Sequence, residues 1–287
     1  MFRYIVSALS QLHRGVLICG GFALFMGFGA RLLMLPFSTT GNAEVSFVDA
    51  LFMSVSVVSV TGMSMFDVRT DFTIFGQLVI LFLMQVGGLG IMTIMAMVGI
   101  STGRKIQLQE RFLLRDSFNL HTLSRMVMLV RNIIFMTLPV EFISGTLMAV
   151  YFYLKFGPMG IYLGYWHAVS AFTNWGLDIM GANAGFAKMA ADRFVSTVIV
   201  VTMFLGGVGF MAADDFLRHR SWSGLSLNSK LIFLMEAILI PLGTIIFYNL
   251  EGNNPETLGG LSTMEKWQSA VLMSVSSRLG GFAVFDI

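Results

Sequence analysis

Five long apolar segments constrain the fold of this chain more than any other feature of its sequence. They cover residues 15–35, 73–100, 132–154, 194–213 and 231–250. A helix needs about 20 mostly apolar residues to cross the hydrocarbon core of a bilayer, and each segment has that length. Charged residues make up 12% of the chain, against about 25% in an ordinary soluble domain. The sequence therefore predicts an all-α integral membrane protein with five spans.

Three shorter apolar pieces lie between these spans, at residues 45–60, 160–173 and 262–277. Each piece is too short to cross a bilayer as a helix, and each leads into a glycine. This pattern is typical of a re-entrant pore helix followed by a loop. An amphipathic helix lying at the membrane interface is the alternative for each piece.

The basic residues are concentrated at the N-terminus, in residues 101–131 and in residues 214–230. Cytoplasmic connections carry an excess of Lys and Arg, so we predict that these three regions, and with them the N-terminus, are cytoplasmic. The connections that hold the short pieces then face outside. The basic stretch 101–131 could also dock a regulatory subunit or anionic lipid. The net charge of +2 gives no indication of a nucleic-acid partner.

The chain repeats itself around the three short pieces. The segments "VSVVSVTGMSMFD", "VSAFTNWGLD" and "VSSRLGGFAVFD" each begin with Val-Ser and reach a glycine six or seven residues later. These glycines are Gly62, Gly176 and Gly281, and the large apolar residues that follow them are Met63, Leu177 and Phe282. We expect a first span–pore loop–span repeat in residues 1–100. A second repeat with its cytoplasmic connection follows in 101–213, and a partial third in 214–287 ends just after its loop.

A glycine at the same place in three loops is what a cation filter requires. A dehydrated cation needs backbone carbonyls in place of its water shell. Turning successive carbonyls to one side demands unusual dihedral angles, which glycine adopts freely. Irregular backbone at membrane depth is tolerated where it lines a water-filled path. The repeat therefore predicts one pore assembled from several loops.

Two glycine-rich segments follow the first two loops, "QVGGLGI" at 85–91 and "FLGGVGF" at 204–210. Both are expected to lie within helices of the apolar runs. Glycines in membrane helices usually allow close helix packing, so we expect packing of each second span against its own pore helix. Pore lining and hinge formation are the alternatives.

These motifs resemble those of the membrane subunit of the Trk/Ktr/HKT superfamily of potassium transporters. The segments "SVTGM", "SAFTNWGLD" and "SVSSRLGGF" resemble its first three filters, "QVGGLGI" resembles the helix after the first filter, and "LSLNSKL" at 225–231 resembles the start of the third repeat. The resemblance covers nearly the whole chain. The position of the first span is more similar to the Ktr type than to the Trk type, which has extra leading helices.

The resemblance implies four such units around one pore, in the cytoplasmic membrane, and uptake of K⁺ with possible Na⁺ or H⁺ coupling. It implies a homodimer of pore subunits in membrane lipid, and a cytoplasmic ring of regulatory subunits that bind nucleotide. No cofactor is expected in this chain. The filter residues implied are Thr61, Gly62, Trp175, Gly176, Gly280 and Gly281, with K⁺ held by the backbone carbonyls of the three loop glycines. The implied flanking residues are Met63, Leu177, Phe282, Asp67, Asp178, Arg278 and Asp286.

Three departures from the family pattern matter. First, the third repeat lacks its second span and a fourth repeat is absent, so we expect a C-terminally incomplete chain. The alternative function is that of a non-conducting fragment or an assembly or regulatory remnant of such a transporter. Trp175 replaces a small residue and could form an aromatic cuff behind the filter or distort it. Leu279 and Gly280 replace Thr-Ala, which removes a hydroxyl.

Two carboxylates, Glu141 and Glu236, lie inside apolar segments near Pro139 and Pro241. Such residues are functional candidates by default. A structural role is the alternative, in which each accepts hydrogen bonds from pore-helix backbone or pairs with a basic residue.

The cation of Arg278 lies close to the third loop in sequence, where a bare charge would repel a transported cation. We expect it to pair with Asp67, Asp178 or Asp286, which could also concentrate cations at the pore mouth. The four histidines show no metal-ligand spacing, and no nucleophile with an adjacent base is visible. An enzyme is therefore not expected.

Overall fold

The computed structural model describes residues 14–42, 44–90, 93–94, 126–181, 192–255, 257–280 and 282. The described residues contain one isolated β-bridge, between Thr39 and Phe72, but no named strand. Their helices are α1 (Arg14–Leu33), α2 (Phe47–Val58), α3 (Val68–Asp71), α4 (Ile74–Leu89), α5 (Met126–Phe156), α6 (Met159–Phe172), α7 (Arg193–Gly207), α8 (Phe210–His219), α9 (Leu227–Glu251) and α10 (Thr263–Leu279), with a 3-10 turn at Trp222–Gly224. The all-α prediction is confirmed.

The three short apolar pieces form helices α2, α6 and α10, of 12, 14 and 17 residues. Local sequence explains where two of them begin. The hydroxyl of Ser46 caps α2 and the hydroxyl of Ser262 caps α10, each in a capping box with an acidic residue three positions later. All three helices end where the loop motifs begin, close to the predicted boundaries.

Two of the predicted spans are long and apolar enough to cross a membrane, Val130–Phe156 and Leu227–Glu251. Helices α7 and α8, of 15 and 10 residues, reach the length of a third span only as a pair, and they meet at an angle of 90°. The first two predicted spans contain shorter apolar helices, Cys19–Leu33 and Ile74–Leu89. Part of the second predicted span, 73–100, lies outside the described residues.

The prediction that the two glycine-rich segments lie within continuous helices is wrong. Helix α4 ends at Leu89 and is followed by Gly90 with φ 79°. Helix α7 is separated from α8 by Gly209 with φ 84°. A positive φ is open to glycine at little cost and interrupts a right-handed helix. Gly90 and Gly209 therefore interrupt the two segments, and a hinge at either glycine stays a prediction.

Each of the three short helices packs on the long helix before it: α2 on α1, α6 on α5 and α10 on α9. Neighbouring units are joined by contacts of α4 with α6 and of α7 with α10. One buried cluster extends through all three units and includes Met53, Trp166, Trp175, Met203 and Val275. Outward-facing apolar side chains such as Phe135 and Leu154 are 70% and 80% exposed, as suits helices surrounded by lipid.

Candidate functional site

The serine of each Val-Ser pair bonds the following loop to the short helix that precedes it. The hydroxyl of Ser56 donates to the carbonyl of Met63 at 2.6 Å. The hydroxyl of Ser170 donates to the carbonyl of Leu177 at 2.8 Å. That of Ser276 reaches the carbonyl of Phe282 at 2.7 Å. The residue after the loop glycine is thus anchored in the same way in all three units.

These serines belong to the repeated Val-Ser pairs, but the repeat by itself predicts no role for them. The signal that could have found them is their fixed place in three otherwise different segments. A hydroxyl at the end of a helix bonds readily to nearby backbone. Three hydroxyls at matching places therefore indicated three similarly closed loops.

The first two loops also share an unusual backbone conformation. Val60 and Gly62 have φ of 56° and 79°, and Asn174 and Gly176 have φ of 58° and 81°. Left-handed residues thus occupy matching positions in both loops. The predicted need for glycine at Gly62 and Gly176 agrees with these angles. For a β-branched residue such as Val60 this conformation is strained, and strain of this kind is concentrated at functional sites.

The residue between the two left-handed positions makes the same backbone bond in each loop. The amide of Thr61 donates to the carbonyl of Ser56 at 2.9 Å, and that of Trp175 to the carbonyl of Ser170 at 3.1 Å. In the third loop the amide of Gly280 donates to the carbonyl of Ser276 at 3.0 Å, with φ −166° at Gly280. Gly281 and Asp286 lie outside the described residues.

The side chain of Trp175 crosses from the second loop to the first unit. It is fully buried, and its Nε1 donates to the carbonyl of Ser56 at 3.3 Å. That carbonyl also accepts the hydrogen bond from the amide of Thr61. The second loop keeps the left-handed positions of the first, so Trp175 does not distort this part of the backbone. An aromatic cuff behind a filter stays a prediction.

The glycines after the first two loops allow helices to press against the loop ends. A Cβ at Gly87 would lie 2.5 Å from the carbonyl oxygen of Val58, and one at Gly206 would lie 1.9 Å from that of Phe172. The packing prediction is confirmed for these two residues, which lie against the C-terminal ends of α2 and α6. A Cβ at Gly280 would lie 3.0 Å from the backbone of Asn174, so the second and third loops are neighbours.

Two of the predicted flanking aspartates have local structural bonds. A carboxylate oxygen of Asp67 accepts the amide of Arg69 at 2.8 Å and caps α3. A carboxylate oxygen of Asp178 accepts the amide of Met180 at 2.8 Å. Arg69 in turn donates to the carbonyl of Ile179 at 3.0 Å, which links the outer ends of the first two loops.

Arg278 pairs with a carboxylate, as predicted, but its partner is Glu236 and not Asp67 or Asp178, while Asp286 lies outside the described residues. Its guanidinium donates two hydrogen bonds to the two carboxylate oxygens of Glu236, whose side chain is 3% exposed. The fold explains the pairing, because α9 packs along α10 and brings together residues 42 positions apart in sequence. The alternative that Glu236 pairs with a basic residue is confirmed.

Glu141 has neither of its predicted kinds of partner. Both of its carboxylate oxygens contact the side-chain amide of Gln85, with Nε2 at 2.8 and 3.0 Å. Gln85 belongs to the glycine-rich segment after the first loop, and the pattern of that segment predicts no role for it. Nothing in the local sequence indicates a contact across 56 positions.

Among the described residues, no group of three or more His, Cys, Asp and Glu side chains could hold a metal ion. His167 is buried, and its Nδ1 lies 2.7 Å from the carbonyl oxygen of Leu163. The candidate site therefore consists of loop backbone. Serine hydroxyls bond each loop to its helix, and Trp175 bonds the second loop to the first unit.

Comparison with known proteins shows the family of this chain. The TrkH family, described as cation transport protein, matches residues 25–287. The Ktr system potassium uptake protein B of Bacillus subtilis (strain 168) is 34% identical over 267 residues, which cover 93% of this chain and 59% of that protein.

Other relatives give the same picture. The Ktr system potassium uptake protein B of Vibrio alginolyticus is 31% identical, over 90% of this chain and 56% of that protein. The potassium/sodium uptake protein NtpJ of Enterococcus hirae is 31% identical, over 94% of this chain and 59% of that protein. The chain thus spans less than two thirds of the length of these relatives, and its match to the family profile extends over most of its own length. The chain is a membrane protein that belongs to the TrkH family of cation transport proteins.

Proposed function

We propose that this chain takes up K⁺ across the cytoplasmic membrane through a filter of backbone carbonyls. The filter would comprise Thr61 and Gly62, Trp175 and Gly176, and Gly280 and Gly281. The observation that carries the proposal is the shared geometry of the first two loops. Each loop has left-handed residues at the same two positions and a serine that closes it.

A carbonyl filter works only if its oxygens are held at a fixed spacing around the ion. The serine anchors fix each loop to its helix, and Trp175 fixes the second loop to the first unit. The buried glycine contacts at Gly87 and Gly206 seat the second spans behind the loops. These contacts would resist collapse of the loops when an ion leaves.

The membrane potential supplies the driving force in this proposal. Moving one positive charge inward through 100 mV releases about 2.3 kcal/mol, which is enough to concentrate K⁺ without a chemical step. Weak, successive sites then suffice for conduction. The pairing of Arg278 with Glu236 supports the proposal, since a bare cation beside the third loop would oppose K⁺ entry.

The assembly follows from the same proposal. The relatives are named as potassium uptake proteins of Ktr systems and as a potassium/sodium uptake protein. We propose a homodimer with cytoplasmic N-termini on a ring of nucleotide-binding regulatory subunits, and Na⁺ as a possible second cation. Asp67, Asp178 and Asp286 would raise the cation concentration at the outer mouth.

Growth at low K⁺ tests the proposed function. Cells without their own K⁺ uptake would express this chain alone, or the chain extended by the length that its relatives carry beyond the matched region. We expect rescue by the extended chain, and rescue by the short chain would mean that several copies complete one pore. If both reach the membrane and neither restores growth, the proposal fails and the non-conducting alternative is supported.

A further inference from the structure

The contact between Gln85 and Glu141 leaves two buried polar atoms without a hydrogen-bond partner in the described part of the chain. These atoms are Oε1 of Gln85 and Oγ1 of Thr137. Thr137 is fully buried and precedes Glu141 by one helical turn, so both side chains lie on one face of α5. Buried polar groups are nearly always paired. An amide oxygen can only accept a hydrogen bond, so the unpaired Oε1 of Gln85 points to a missing donor beside the carboxylate.

None of the side chains that the structure describes compensates the charge of Glu141. Its side chain is buried, and its hydrogen-bonding partner is the neutral amide of Gln85. No basic side chain among the described residues forms an ion pair with it, in contrast to Glu236. An isolated carboxylate in an apolar interior is strongly disfavoured and is neutralised by taking up a proton.

A protonated Glu141 would satisfy the amide on both sides. The acid O–H would donate to Oε1 of Gln85 while Nε2 of Gln85 donates to the other acid oxygen. Oε1 belongs to the amide that already touches the carboxylate, so a rotation of this amide is enough. The result is a two-bond acid–amide pair that carries no charge and removes one orphaned atom.

The other titratable groups of the surrounding helices make their contacts elsewhere. Tyr165 bonds to Thr146, Tyr162 to Gln77, His167 to Leu163, and Asp214 to Asn132 and Arg218. Helix α4 contributes no charged residue. The remaining titratable groups on α5, α7 and α8 are Arg131, Tyr151, Tyr153, Lys155, Arg193, Asp215 and His219, and none of them bonds to Glu141.

This pair is mechanically connected to the first loop. Gln85 precedes Gly87 by two residues on α4, and Gly87 lies directly against the carbonyl of Val58. The strained Val60 follows two residues later. A change in the contact between Gln85 and Glu141 therefore changes how α4 seats the end of the first re-entrant helix.

We propose that Glu141 and Gln85 form a proton-binding site, and that the proton on Glu141 keeps α4 packed against the end of α2, where the first loop begins. The effect on transport rests on the proposed K⁺ uptake, but the proton site itself does not. On losing the proton, Glu141 becomes a buried charge beside an amide. The packing of α4 against the first loop then weakens. Uptake then falls as the pH is raised.

Infrared difference spectroscopy tests the site without transport. The chain in lipid nanodiscs would be titrated with H⁺ while the C=O stretch of a protonated carboxylic acid is recorded. We expect this band in the wild type and its loss in Glu141→Gln. The matched control Glu236→Gln keeps it, because the carboxylate of Glu236 is ion-paired. The exchange variant Gln85→Glu/Glu141→Gln restores the pair and the band.

A band unchanged in Glu141→Gln overturns the proposal, and so does a Glu141 signal that responds to Na⁺ instead of H⁺. In cells, the pH dependence of uptake should disappear in Glu141→Gln and return in the exchange variant. Uptake that keeps its full pH dependence in Glu141→Gln overturns the link to the first loop. If the band is lost in Glu141→Gln but no variant takes up K⁺, the transport function is contradicted and the proton site is still supported.

Discussion

Glu141 and Glu236 are both buried on the first long helices of successive repeats, yet the fold neutralises them in opposite ways. Glu236 receives two hydrogen bonds from a guanidinium, and Glu141 contacts only an amide. The first arrangement fixes a charge pair at the end of α10, and the second leaves a carboxyl group that can gain or lose a proton. The same residue type in similar sequence surroundings thus acquires different chemistry from its partner.

Breaking the ion pair should have the largest effect on stability. In Glu236→Gln the guanidinium of Arg278 loses its carboxylate, which we expect to cost about 3–5 kcal/mol of unfolding free energy. Denaturant unfolding in detergent micelles measures it. The matched control is Glu236→Gln/Arg278→Met, which removes both charges and should be more stable than the single variant. A single variant as stable as the wild type would show that Arg278 does not depend on Glu236.

Removing the amide should have an intermediate effect. In Gln85→Leu the acid of Glu141 keeps its place but loses both hydrogen bonds, at a cost of about 1–3 kcal/mol. The same unfolding assay checks this, with Leu78→Ala, an exposed position on the same helix, as a control for changes to α4. A loss as large as that of Glu236→Gln would mean that Glu141 is charged and that the two sites are alike.

Replacing the acid of Glu141 by its amide should have the smallest effect. Glu141→Gln keeps the shape of a protonated acid and both bonds to Gln85, so we expect a change of less than about 1 kcal/mol. The contrast with Glu236→Gln, the same chemical change in another repeat, is the sharpest form of the comparison. Equal losses in the two variants would contradict it.

The sequence predicted those parts of the fold that depend on local pattern. The apolar runs gave the helices, and the repeated Val-Ser and glycine positions gave three matching loops, because residues within a few positions determine both. The breaks at Gly90 and Gly209 were not predicted, since glycine in a membrane helix serves packing or bending and only the backbone angle distinguishes them.

Contacts between distant segments were the part that sequence could not supply. Arg278 was expected to pair with Asp67, Asp178 or Asp286, but the packing of α9 on α10 places Glu236 beside it. Gln85 and Trp175 were given no partner, because their contacts join different repeats. Such pairs depend on how the units meet, and no periodicity within one unit records that.

Uptake of K⁺ into lipid vesicles by two glycine variants tests the central claim most directly. Gly62 and Gly41 both have a positive φ, of 79° and 82°, so alanine at either position carries similar backbone strain. Only Gly62 belongs to the proposed filter, and a Cβ at Gly41 would meet nothing within 4 Å. With the chain that restores growth, we predict that Gly62→Ala abolishes potential-driven K⁺ uptake while Gly41→Ala retains it. Equal uptake by the two variants would contradict a filter built from these loops.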